Sequence, residues 1–225
     1  MNVSNETIEV LKNFAGINPN IVISPGQKLK TISEAKNIMA EADITEDFPV
    51  EFGIYDLHEF LSVINLVDTP VLNFGDNSVR ITDGRLNVNY FYSEKDILTT
   101  PQKDINMPDS EVGVTLTMSQ LDQIKKASAV LGHSELVIGC EEEMNEGKMY
   151  AKVCDTEDNT SNSFTLDLEV ECPSKFQFLF NIPNLKLMNG DYHVSISSKL
   201  ISHWTNMDYP INYFIALEKG SSFGV

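Results

Sequence analysis

The chain has 225 residues, 42% of them hydrophobic, enough to bury one large core or two modest ones. Its 33 acidic residues outnumber the 16 basic ones and give a formal charge of −17, which argues against nucleic-acid binding by the outer surface. Cys140, Cys154 and Cys172 show no CxxC spacing and are odd in number, so no disulfide framework is expected and a reducing cytoplasm fits. There is no signal-peptide pattern at the start and no apolar run near the roughly 20 residues of a membrane span, so a soluble intracellular protein is expected.

The first predicted element is a helix capped by Ser4 or Asn5. Ile8, Leu11, Phe14 and Ala15 make its apolar stripe, and Glu9, Lys12 and Asn13 lie off it. Short strands follow at Ile21–Ser24, Lys28–Ile32 and Asn37–Asp43. From Phe48 to Ile54 apolar residues alternate, and at Tyr55-Asp56 the period changes. Leu57, Phe60, Leu61, Ile64 and Val67 then recur at helical spacing, with His58, Glu59, Ser62 and Asn65 opposite. Asp56 is the expected N-cap, and Glu59 completes a capping-box pattern. Pro70–Gly75, Ser78–Thr82 and Arg85–Tyr92 read as hairpins joined by glycine turns.

Periodicity fails from Ser93 to Ser110, a polar stretch with two prolines that reads as a connector. Ile97 and Leu98 are apolar residues that such a loop does not need for itself. The order then repeats: a strand at Val112–Leu116, and a helix capped by Ser119 with Leu121, Ile124, Ala127 and Leu131 inside and Lys125 and Lys126 toward the outside. Strands are expected at Glu135–Cys140, Gly147–Asp155, Asn162–Glu171 and Lys175–Asn181. A short helix capped by Asn181, with Pro183 in its first turn and Asn189-Gly190 at its end, comes next. Strands at Asp191–Ser197 and Ile211–Leu217 close the chain. Two strand-into-helix units half a chain apart suggest internal duplication.

No GxxxxGK[ST] or GxGxxG loop is present. His58, His133, His193 and His203 show neither HExxH nor HxH spacing, and no cysteine sits in a zinc pattern. Glu141, Glu142 and Glu143 read as a solvated hairpin tip, because consecutive residues do not converge on one point. The Asn-x-Ser/Thr matches at Asn2, Asn5 and Asn159 read as chance. The cysteines read as plain core or surface residues. No catalytic chemistry and no cofactor are indicated.

Against the acidic background, Lys12, Lys125, Lys126 and Lys186 sit on or beside helix polar faces, while clustered acids fall mainly in turns and the connector. Four such lysines are either ordinary solvated residues or a helical face suited to phosphates. An acidic β-rich structural or assembly protein that does not bind DNA is the alternative reading of the same composition.

The sequence resembles the DNA polymerase sliding clamps, and closely those of T-even-type bacteriophages. The resemblance lies in Leu11–Ala15 with Ile17-Asn18, in Ile54–Leu57 with Phe60-Leu61, in Phe176–Asn181, Lys186 and Gly190–Tyr192, and in Tyr213–Glu218. It spans essentially the whole chain. The helix at Leu57 departs from the family by lacking a basic residue, and Lys199–Pro210 with Trp204 and the tail from Lys219 match poorly.

The resemblance implies an α+β DNA clamp fold: two similar domains, each with two short helices packed on antiparallel sheets, assembling into a ring. The division is 1–92, a connector at 93–110, and 111–225. It implies a non-catalytic homotrimer that encircles double-stranded DNA and tethers the replicative polymerase, opened and closed by an ATP-dependent clamp loader, with late-transcription factors as further candidate partners, in the cytoplasm of an infected bacterium. Lys12, Lys125, Lys126 and Lys186 are then DNA-facing, and Ile97, Leu98, Phe214, Ala216 and Leu217 bind partners.

Overall fold

A computed structural model describes residues 1–141, 147–158, 160–171 and 174–224. Glu142 and Glu143 of the acidic turn, Asn159, Cys172 and the last tail residue, Val225, lie outside the described residues. Two compact units divide the chain, Met1–Asp104 and Ile105–Val225, with the division falling inside the polar stretch 93–110.

In the first unit α1 (Asn5–Ile17) starts at Ser4, whose hydroxyl accepts from the Thr7 amide at 3.2 Å. Both Ser4 and Thr7 also donate to the Glu46 carboxylate, placing an anion where the helix dipole favours one. Leu11, Phe14 and Ile17 are buried. α1 packs on α2 (Leu57–Ile64) and on the hairpin of β2 (Gly26–Ile32) and β3 (Ile38–Phe48). β1 (Ile21–Ile23) pairs with β4 (Phe52–Ile54). Phe48 therefore ends β3 rather than opening the next strand: Pro49 has no amide for the ladder and separates the two runs expected as one. Asp56 caps α2 through the His58 and Glu59 amides at 2.9 and 3.1 Å. Glu59 forms no capping box; its carboxylate accepts from the Tyr90 hydroxyl instead. β5 (Val71–Phe74), β6 (Ser78–Asp83) and β7 (Leu86–Phe91) form a three-stranded meander.

The second unit holds a sheet ordered β11-β10-β9-β12-β16, formed by β9 (Glu135–Cys140), β10 (Lys148–Cys154), β11 (Phe164–Glu171), β12 (Phe176–Asn181) and β16 (Ser222–Phe223). A run of β8 (Val112–Leu116), β13 (Tyr192–Ser197), β14 (Ile201–Asn206) and β15 (Ile211–Ala216) pairs in the order β8-β13-β14-β15. Phe180 and Trp204 meet edge-on at 5.8 Å, and Trp204, Tyr192 and Tyr213 continue the cluster, so aromatic rings join the two sheets. On β11 the register shifts opposite Lys148 and Tyr150, and Glu169 takes a left-handed φ of 56°.

α3 (Met118–Leu131) packs against β10 and β11. Its N-cap is Thr117, not Ser119, and Thr117 and Gln120 form a reciprocal capping box. Gly132 closes it in the left-handed region at φ 75°. The expected helix after Pro183 is one 3-10 turn, Ile182–Asn184, without a side-chain bond from Asn181. The Tyr213 hydroxyl accepts from the Met188 amide at 3.0 Å and the Tyr192 hydroxyl donates to the Met188 carbonyl at 2.7 Å, so side chains hold the segment where a helix was expected. Two further strands, β14 and β16, were not expected.

Cys140 is disulfide-bonded, which corrects the reading of all three cysteines as plain core or surface residues. Cys154 is a free buried thiol whose pKa is pushed up by burial. Among the described residues no helix is long and apolar enough to cross a membrane, and no group of three or more His, Cys, Asp or Glu side chains is placed to hold a metal.

Candidate functional site

The four lysines expected to face DNA are not equivalent. Lys12 is exposed on α1 and lies 2.8 Å from Glu9, one turn back. On α3, Ser119, Gln123, Lys126 and Val130 form one exposed stripe at helical spacing, with Lys126 at its centre. Lys125 flanks that stripe and is half-buried. Among the described residues neither has a carboxylate at ion-pair distance. Lys186 is exposed but follows the 3-10 turn and so lies on no helix. The solvent side of α2 offers His58, Glu59 and Ser62, without a fixed cation.

Of the residues expected to bind partners, Ile97 and Leu98 belong to the first unit and Phe214, Ala216 and Leu217 to the second. Ile97 ends a 3-10 turn, Lys95–Ile97, and is 63% exposed. Leu98, the next residue, is buried. It lies on Gly53, where an added Cβ would sit 2.6 Å from the Leu98 Cδ1 and 2.7 Å from the Ser93 carbonyl. Phe214 and Leu217 are buried and Ala216 half-buried. His203 of β14 stacks on Phe214 with ring centroids 4.6 Å apart, and its Nε2 is 3.0 Å from the Asn212 amide oxygen.

Sequence reasoning missed how the connector is fastened. The buried Asn18 side chain donates to the Ile32 and Thr99 carbonyls at 2.7 and 2.9 Å. Asn20 donates to the Tyr55 carbonyl and accepts from the Thr99 amide. Buried amides satisfied this way hold backbone that no sheet pairs. The signal was present: two asparagines flank Pro19 directly after an apolar helix, where a plain turn needs neither side chain inside. Further along, Lys95 pairs with Glu51 and Lys30 with Asp104. Each hydrogen bond from its lysine holds the Glu51 or Asp104 carboxyl below its ordinary pKa. Between these ties and β1 and β2 lies a groove of about 870 Å³.

Two compact units, the first with two α-helices and the second with α3 and a 3-10 turn where a second helix was expected, all on antiparallel sheets, define the clamp class of folds. The chain superposes on the proliferating cell nuclear antigen of Thermococcus kodakaraensis with a TM-score of 0.69 at 14% identity, covering 97% of this chain and 98% of that one. On the DNA polymerase III beta chain of Streptococcus pneumoniae the TM-score is 0.66 at 14% identity, over 94% of this chain and 63% of that one. The DNA polymerase processivity factor family matches residues 4–96, and the gp45 sliding clamp C-terminal family matches residues 114–219. The sliding clamp of Vibrio phage KVP40 is 34% identical over 223 residues, 97% of this chain and 99% of that protein. Those of Escherichia phage RB69 and Enterobacteria phage T4 are 29% and 27% identical, each over 99% of both chains. The chain belongs to the bacteriophage sliding clamps, the non-catalytic processivity factors of DNA polymerase.

Proposed function

We propose that three copies of this chain close head to tail into a ring around duplex DNA and hold the replicative polymerase to it. The observation that carries this reading is β7, which lies at the edge of its sheet with Leu86 and Phe91 58% and 66% exposed. An apolar strand edge of this kind invites another strand, and a heterologous contact that closes leaves no edge free. β11, an edge strand of the second unit, is the partner edge. Residues 1–92 and 111–225 form the two clamp domains, and 93–110 is the connector between them.

Retention by a closed ring is topological, so contacts with the phosphates are few, weak and independent of sequence. Lys12, Lys125, Lys126 and Lys186 supply them, and the acidic exterior keeps DNA off the outside. An ATP-dependent loader opens the ring in the cytoplasm of the infected bacterium. The polymerase, and late-transcription factors after it, dock at Ile97 and Leu98 and at Phe214, Ala216 and Leu217.

The test is loading onto circular and linear duplex DNA with the cognate loader. Clamps should stay on circles and run off linear ends; equal loss from both overturns the ring. Lys125→Glu with Lys126→Glu should weaken loading most at low salt, with the difference from the parent shrinking as salt rises. The same reversal at Lys148 and Lys152, which lie on β10 of the sheet, should do much less; equal effects would remove α3 from the DNA-facing surface.

A further inference from the structure

The groove beside the connector collects charge of the sign this chain otherwise lacks. Lys28 and Lys30 come from one face of β2, and Lys95 and Lys103 from the connector, so four of the chain's 16 basic residues line one hollow. Val22, Pro25 and Leu98 contribute apolar lining between them. Three of these lysines already hold carboxylates of the same unit: Lys95 holds Glu51, Lys30 holds Asp104 and reaches Glu41 at 4.0 Å, and Lys28 holds Asp43 at 3.2 Å with Glu41 at 3.9 Å. The Asp104 side chain is 74% exposed and the Glu51 side chain 41%, and ion pairs so open to water are weak and exchangeable. Among the described residues Lys103 has no carboxylate at ion-pair distance.

We propose that this groove takes an extended acidic segment of a protein partner, whose carboxylates replace Asp104 and Glu51 on the lysines while its apolar side chains cover Val22, Pro25 and Leu98. The proposal rests on the reading of the connector as the place of partner capture and gives that partner its chemistry. Asp104 and Glu51 act as built-in competitors that keep the lysines paired until the partner arrives. A phosphodiester chain fits less well. It has no apolar side chains for the lining, and it would draw an unbroken line of charge past Asp96 and Asp104, which also line the groove. A peptide can place its acids only where the lysines are.

The probe is a fluorescein-labelled ten-residue peptide alternating Asp with Leu and Phe, titrated with the intact clamp and read by anisotropy. A peptide with Lys in place of Asp is the control and oligothymidine the competitor. Lys95→Ala with Lys103→Ala should weaken binding roughly tenfold at low salt, with the difference shrinking as salt rises. Asp104→Asn should act in the opposite direction and tighten it a few-fold, which loss of fold cannot mimic. Lysine and Asp104 variants that bind like the parent overturn the proposal, as does displacement of the peptide by oligothymidine. Ile97→Ser separates the two readings. If it abolishes binding while the lysine variants leave it unchanged, connector capture stands and the acidic partner falls. If no variant and neither peptide shows binding, both fall.

Discussion

At the scale of single residues, Gly53 decides where the connector lies. Its missing side chain lets Leu98 and the Ser93 carbonyl approach the backbone, and the Ser93 amide donates to the Gly53 carbonyl at 2.9 Å. An added methyl would meet backbone as well as a leucine tip, so it cannot be absorbed by a rotamer change alone. Gly53→Ala is expected to cost about 1–3 kcal/mol and to lift Leu98 from its seat. Denaturant unfolding measures the first, and faster proteolysis between residues 93 and 104 the second. Unchanged proteolysis would mean that Asn18 and Asn20 hold the connector without Leu98.

Glu46 acts on a single helix end. Burial alone would raise its pKa, but hydrogen bonds from Thr7 and Ser4 outweigh that and leave it below the ordinary 4.5. A carboxyl with a depressed folded pKa contributes stability above its unfolded value and loses it as pH falls through the folded one. Glu46→Gln should therefore be less stable than the parent at neutral pH and converge with it below pH 4.5, as melting temperatures along an acid series will show.

At the scale of elements, α3 owes its start to side chains rather than to apolar content, since among its residues only Leu121 and Ile124 are buried. Thr117→Ala removes half of a reciprocal cap and should cost about 1 kcal/mol by chemical denaturation. Ser119→Ala should cost far less, because Ser119 is not the cap. Sequence periodicity was sufficient for α1, α2 and α3 because their apolar residues recur along one face. It failed at β14, where Ser202 and Asn206 are buried alongside Trp204. The Ser202 hydroxyl donates to the Ile215 carbonyl and accepts from the Trp204 indole, both at 2.9 Å, so a polar pattern fills a core strand. It misread the segment after Pro183 because alternately buried Leu185 and Leu187 sit beside helix-favouring cues. Two tyrosines far along the chain decide that backbone, and no local pattern carries them. Exposed lysines were legible as residue types. Their local setting was not: Lys12 has Glu9 for a neighbour, Lys186 has no helix, and the cations of the groove come from segments some seventy residues apart.

At the scale of the whole molecule, the proposed ring depends on sheet edges. If β7 of one copy pairs with β11 of the next, sedimentation at micromolar concentration should show trimers, and a purely monomeric or dimeric species would exclude the ring. Proline at Asn89 should shift the population toward monomer, because Asn89 is exposed on β7 and proline removes one ladder donor. A trimer that persists unchanged would place the contact on another edge.

The left-handed kink at Glu169 bears on what happens when many copies meet at once. A straight β11 would be a template along which any extended segment could slide and stack without limit. Beyond Asp167 the ladder with β10 loses its regular register, so an arriving strand finds only Phe164 to Asp167 in line, about 13 Å of track. A copy displaced by two residues forfeits half of that length and gains nothing elsewhere to offset it. In the proposed ring the kink would thus ration adhesion: enough for a correctly placed neighbour, too little to seed a fibre.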